Sequence, residues 1–210
     1  MNVSKRVGII VIFLIFIAIA LIILIPNLSN TYTYTSPSGE KFTFTKSTIG
    51  DLTLHTLTTY VTYKGDNQNH QYAIPLRYGP KSLEDIYVQK EINNLILNKE
   101  YLYLTLDPNY NSKALLANID IAKVTGTADY SVFKIPTQGA LIYPANNSNS
   151  TLTPIITCNN VNDKIGVIWL NIGKENKIYS SKGCVVVQGT DYDNLIKSAD
   201  RLVYNLLSVM

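Results

Sequence analysis

VGIIVIFLIFIAIALIILI, residues 7–25, is nineteen residues without one charged or polar side chain. As a helix rising ~1.5 Å per residue it spans about 28 Å, close to the ~30 Å hydrocarbon core of a bilayer. The stretch therefore reads as a transmembrane helix, and the rest of the chain is placed by it. Lys5 and Arg6 stand directly before it, and no Lys or Arg follows until Lys41. Positive charge stays on the cytoplasmic side, so residues 1–6 are expected inside and residues 26–210 outside. A cleavable signal peptide is the rival reading. Its apolar core is shorter and ends at small residues, whereas this run ends Leu24-Ile25-Pro26-Asn27-Leu28. Pro26 is a stop, because proline disfavours the helical conformation of the residue before it.

The outer part is long enough for one domain with a real core. Without Lys5 and Arg6, sixteen basic residues face fifteen acidic ones, and the basic residues do not cluster. Nucleic-acid binding has no electrostatic footprint in such a chain. The fifteen tyrosines accompany abundant Asn, Ile and Lys, as AT-rich codons favour, and are not read as a binding surface. Cys158 and Cys184 are the only cysteines. Outside the cell their default is one disulfide, and no C-x-x-C argues for redox chemistry.

Alternation and turn chemistry place most of the elements. Thr31–Lys46 reads as a hairpin around Ser36-Pro37-Ser38-Gly39, with Tyr32, Tyr34, Phe42 and Phe44 on one face and threonines on the other. That aromatic face belongs either to the core or to an interfacial belt beside the membrane. Leu52–Lys64, Gln71–Tyr78 and Glu100–Leu106 read as strands. Ile86–Val88 is a short strand candidate within a mixed stretch. Ser112 caps a helix to Val124 with Gly126 just beyond; Ala114, Ala117, Ile121 and Val124 form its stripe, widened by Leu115, Ile119 and Ala122. Pro154–Cys158, Lys164–Asn171, Lys177–Ser180 and Cys184–Gln188 follow as strands, with a hairpin turn at Gly173–Asn176. The last helix starts at a Thr190 cap with Asp193 three residues on, and Leu195, Ala199, Leu202 and Leu206 ridge its apolar face. The expected fold class is α+β: a transmembrane helix, then one external domain with a mainly antiparallel sheet and about two packed helices. Asn146 and Asn149 are N-x-[ST] sequons in a polar loop, and Asn27 is a third beside the membrane segment; the first two are the glycosylation candidates.

Catalytic motifs are weighed and set aside. Leu152-Thr153-Pro154-Ile155-Ile156-Thr157-Cys158 resembles the T-L-x-T-C strand end of sortases, which are also anchored proteins of this size. The resemblance implies a Cys158 nucleophile, a histidine before it and an arginine shortly after it. His55 and His70 stand much too early, and the next arginine is Arg201, too late and on a helix. Ser38-Gly39-Glu40-Lys41 matches S-x-x-K but sits in a hairpin turn, without K-T-G or S-D-N. Asp107, Asn109 and Asn111 open like a calcium loop, yet position six is Ser112 and position twelve Asn118. Gly8 after a basic stretch invites comparison with type IV pilins, but no Glu follows at the fifth position and Pro26 stops the helix. No catalytic residue, metal ligand or cofactor is assigned.

A broader likeness links Ile74-Pro75-Leu76-Arg77-Tyr78-Gly79-Pro80 with Cys158, Gly183-Cys184-Val185-Val186-Val187 and Ala199-Asp200-Arg201-Leu202-x-Tyr204. These stretches resemble a group of small archaeal proteins with one N-terminal anchor. The resemblance implies an architecture and an archaeal cell surface, and brings no catalytic residues to carry over. Read from the residues, Asp200-Arg201 is expected to form a polar helix face, with Arg201 pairing with the sheet edge. The expected function is a non-catalytic interaction or structural module of the envelope, held in the bilayer through residues 7–25 and meeting a protein partner. A sortase-like transpeptidase using Cys158 and a pilin-like subunit are the alternatives.

Overall fold

Alternating strands, broken at turns rich in glycine and proline, build two sheets with a helical layer between them. The computed structural model describes residues 30–145 and 153–210. Tyr32–Met210 form one compact unit. The expected membrane helix, most of the N-terminal arm, and both sequons at Asn146 and Asn149 lie outside the described residues. Among the described residues no helix is long and apolar enough to cross a membrane.

The first sheet holds β1 (Thr31–Thr35), β2 (Lys41–Ile49), β3 (Leu52–Thr62) and β4 (Asn69–Leu76), side by side in chain order. Antiparallel registers set Phe44 opposite Leu57 and Leu57 opposite Ile74. Because side chains alternate, these residues form one buried row, and Tyr32, Tyr34 and Phe42 pack against it. Of the two readings of the aromatic face, core is the one observed. Thr43 and Thr45 point to the exposed side.

The second sheet holds β5 (Tyr87–Val88), β6 (Tyr101–Leu106), β7 (Thr137–Leu141), β8 (Ile165–Ile172), β9 (Lys177–Ser181) and β10 (Cys184–Gly189). Its spatial order is 5-9-10-8-6-7. Only β9 and β10 pair antiparallel; β5–β9, β8–β10, β6–β8 and β6–β7 are parallel. The α+β class thus stands. Its antiparallel part describes the first sheet and the β9–β10 hairpin, while the second sheet is mixed.

Three helices are described: α1 (Asn94–Leu97), α2 (Ser112–Thr125) and α3 (Tyr192–Leu206). α2 and α3 pack together, α3 against β10 and α2 against β4 and β8. Tyr204 of α3 meets Phe44 of β2 edge to face at 5.7 Å between ring centres. The two sheets therefore share one core through the helices. At the entry to α3, a Cβ on Gly189 would collide with the backbone of Leu195. Only glycine lets the chain pass from β10 into the helix this closely.

Several local expectations change. The Gly173–Asn176 link joins β8 to β9 but is not a hairpin, because β10 lies between those strands. Pro154–Cys158 is not a strand: Ile155 makes one isolated bridge to Leu141, and the chain then tightens into a 3-10 turn over Cys158–Asn160. Asn111 rather than Ser112 caps α2, accepting from the Lys113 amide at 2.9 Å. Asp191 rather than Thr190 caps α3, accepting from the Asn194 amide at 2.8 Å. Asx side chains at these positions reach the orphan amides without leaving extended backbone. Leu115 and Ile119 do not widen a buried stripe; both are about half exposed.

Candidate binding face

Among the described residues, helices cover only one side of the second sheet. Leu102, Leu104, Leu106, Ile168, Leu170, Val185 and Val187 point into the helical layer and are buried. The intervening residues form the other side. Register places Thr105 beside Trp169, Trp169 beside Val186 and Val186 beside Tyr179, one row across β6, β8, β10 and β9. Tyr101 and Tyr103 extend it along β6, with ring centres 4.9 Å apart. The Tyr101 hydroxyl donates to Gln138 Oε1 at 2.9 Å. Lys177 Nζ stands 5.1 Å from the centre of the Tyr179 ring.

A single irregular segment covers part of this side. Ile156, Cys158 and Val161 pack on Val167, Cys184 and Val186, a small second core. The segment is pinned in three ways. Cys158 and Cys184 form the expected disulfide, with Cα atoms 5.2 Å apart. The Thr105 hydroxyl donates to the Ile156 carbonyl at 2.8 Å. Thr157 and Asn160 exchange capping bonds, the Thr157 amide donating to Asn160 Oδ1 at 2.9 Å. The disulfide spans 26 positions, and in the chain-entropy treatment a loop of that length stabilises the fold by about 3.5 kcal/mol.

Between this segment and the strands lies an open cleft of about 320 Å³, with Trp169, Thr105, Thr157, Asn159, Ser181 and Lys182 on its walls. That volume is at the small end of ligand-binding clefts. Its walls join an indole, four hydroxyl or amide side chains and one cation. The Trp169 indole N–H is buried without a hydrogen-bond partner. Lys182, exposed in the turn before Gly183, adopts a positive φ of 50° and lines the cleft. Neither Trp169 nor Lys182 stands out as a site in the sequence. The signal is Trp169 at an outward position between Ile168 and Leu170, which alternation assigns to the helix side.

A second polar constellation is internal. Asp200, fully buried on α3, accepts at Oδ2 from the amides of Arg77 (3.1 Å) and Tyr78 (3.0 Å). The Tyr204 hydroxyl donates to the Tyr78 carbonyl at 2.9 Å. Asp120 of α2, also fully buried, accepts from Arg77 Nη1 at 2.6 Å and Lys123 Nζ at 2.7 Å. Burial first, and then the Asp120 carboxylate, push the Asp200 carboxyl well above the usual range. Among the described residues, Asp200 Oδ1 has no hydrogen-bond partner. Asp200 thus does not lie on a polar helix face; it is a clasp that ties the end of the first sheet to α3. The clasp brings Arg77–Tyr78 and Asp200–Tyr204 together. Arg201 is half-buried, with its Nε and Nη1 unpartnered, and senses Tyr34 of the edge strand β1. Desolvation holds its pKa below the usual arginine value.

The remaining motifs have local explanations. Asp107 accepts from the Asn109 amide at 2.8 Å and from the Tyr143 hydroxyl at 2.5 Å, while Asn111 caps α2. This is a turn feeding a helix, the alternative to a calcium loop. His55 shares a 2.7 Å hydrogen bond with the Tyr32 hydroxyl, and His70 one of 2.6 Å with Asp66. Ser38 bonds Ser36 within the β1–β2 turn, away from any helix start. Among the described residues no three His, Cys, Asp or Glu side chains group as metal ligands. No family model, curated protein or solved structure matches this chain.

Proposed function

We propose that the chain is a single-pass membrane protein whose outer domain is a non-catalytic interaction module of the cell envelope. The observation that carries this reading is the Cys158–Cys184 disulfide. It uses both cysteines of the chain, it fits an oxidising compartment outside the cell, and it leaves no thiolate for a sortase-like transfer. The apolar segment 7–25 behind Lys5 and Arg6 supports an anchor with the N-terminus inside. The half-covered sheet face supports the interaction: aromatic side chains and hydrogen-bonding groups are gathered on rigid strands around Trp169. A protein partner in the envelope is the proposed occupant, with the Trp169 ring as anchor and Lys182 at the polar rim.

The test is the intact mass of the whole chain, extracted from its membrane and alkylated without reductant. The expected product carries no alkyl group and weighs two hydrogens less than the reduced chain. An alkylated Cys158 would overturn the non-catalytic reading and make that residue the one to substitute and assay. Protease added to intact cells should remove the outer domain and leave the N-terminal segment in the membrane; a resistant domain would overturn the orientation.

A further inference from the structure

One arm of the first sheet is built differently from the rest. β1 and β2 are joined by only five residues, 36–40, too few for a parallel crossover, so the two strands run antiparallel. β1 starts at Thr31 and runs toward that turn; β2 runs back past the point where β1 began. Since β1 has five residues and β2 nine, the last four of β2, Lys46–Ile49, extend beyond Thr31. On the other side β4 ends at Leu76, opposite His55. Among the described residues, Ser47, Thr48 and Ile49 therefore pair only with Leu54, Thr53 and Leu52. The result is a free two-stranded arm closed by Gly50-Asp51, with Gly50 at φ +59°, as a two-residue hairpin turn requires.

The tip of this arm is apolar where it meets solvent. Ile49 is 70% exposed and Leu52 42%. They are directly paired, so both side chains stand on one face, and Leu54, two residues from Leu52, joins them. No other hairpin of the sheet ends this way: the β1–β2 turn is Ser-Pro-Ser-Gly-Glu and the β3–β4 turn contains Gly65-Asp66-Asn67.

We propose that Ile49, Leu52 and Leu54 dip into the lipid interface of the membrane that carries the chain. The inference rests on reading residues 7–25 as a membrane anchor. Between that segment and Thr31 stand five residues, 26–30, which reach at most about 18 Å when extended. The arm projects past Thr31, on the side from which the chain arrives, by roughly 13 Å for four strand residues. A tether of that length allows the tip to reach headgroup depth. Lys46, exposed at the base of the arm, suits lipid phosphates there. Asp51 in the turn keeps the insertion interfacial and shallow.

The experiment uses the full chain with Ile49→Cys, Leu52→Cys or, at the opposite end of the sheet, Ser38→Cys. Each is labelled without reductant with an environment-sensitive fluorophore and reconstituted into phosphatidylcholine–phosphatidylglycerol vesicles. Flotation after an alkaline wash reads the anchor separately. With the chain floating, the labels at 49 and 52 should fluoresce severalfold more brightly, at shorter wavelength, than the label at 38, and a nitroxide near the headgroups should quench them selectively. Water-like emission at 49 and 52 in floating vesicles would overturn the proposal and leave the anchor standing. Bright labels that lipid nitroxides do not reach would mean that protein, such as a second copy, covers the tip, and would also overturn it. Equal quenching at 38 would show a domain lying flat and overturn the directed arm. A chain that does not float would remove the anchor and the proposal together.

Discussion

The two sides of the second sheet use the same strands and follow different rules. Toward α2 and α3, Leu102, Leu104 and Leu106 of β6, Ile168 and Leu170 of β8, and Val185 and Val187 of β10 are all buried. Toward the other side the same strands carry Tyr101, Tyr103, Thr105, Trp169 and Gln188. There the cover is one irregular segment, and a covalent bond holds it. Burial of an apolar side chain contributes about 1.5–3 kcal/mol, and the helix side gains this many times over. The open side has a three-residue buried core, Val167, Cys184 and Val186, and a staple. One face stabilises the domain; the other leaves the Trp169 indole N–H without a partner among the described residues.

Adjacent residues of β6 give the widest contrast. Leu104→Ala should lower unfolding free energy by about 2–5 kcal/mol, while Tyr103→Ala next to it should lose less than half as much. Denaturant titration of the two variants decides; equal losses would end the distinction between the faces. Next in size is the staple. Replacing Cys158 and Cys184 together by serine should lose about 2–4 kcal/mol. Amide exchange should quicken in residues 153–163 and stay slow in α3. Uniform quickening would mean that the segment is part of the main core.

The third way to sharpen the contrast concerns polar groups on the helix side. Asp200 is enclosed by the Arg77 and Tyr78 amides, by Asp120 and Lys123 of α2, and by Tyr204 one turn on. Its carboxyl, raised by burial, supports the fold fully below the unfolded carboxylate value, and that support is lost as pH rises through the raised value. Asn at this position keeps an acceptor for the two amides and has no proton to lose. The midpoint of Asp200→Asn should therefore gain on that of the native chain as pH rises from acid through neutral. Parallel curves would mean that folding does not raise the Asp200 carboxyl. The smallest effect belongs to the open face: Tyr101→Phe removes an exposed hydroxyl bond to Gln138 and should change stability by less than about 0.5 kcal/mol.

Local pattern reached the strands more readily than their arrangement. β6 and β8 were legible because Leu102, Leu104, Ile168 and Leu170 recur at period two. The run IGVIWLNI is apolar on both sides, as a buried parallel strand is, yet nothing nearby in sequence says that β10 will insert between β8 and β9. Thr137–Leu141 was not legible as a strand, since Gln138 and Gly139 carry no strand signal and its partner β6 lies some thirty residues earlier. Thr157 and Cys158 had strand composition, but a capping box and a disulfide decide their backbone. Asp200 read as surface because a carboxylate belongs in water by default. Its partners are backbone amides 122 and 123 positions away, and composition does not announce amides. The open face was visible only as an excess of tyrosine, for which codon usage was a sufficient account.

The clasp between Asp200 and the Arg77–Tyr78 amides also sets an order of events. A ribosome makes the first sheet long before α3. Until Asp200 and Tyr204 arrive, the end of β4 lacks the groups that hold it, and Phe44 lacks the ring it packs against. The meander therefore waits, half-built, for a helix made more than a hundred residues later. Any folding helper that acts during synthesis would meet the domain in that waiting state.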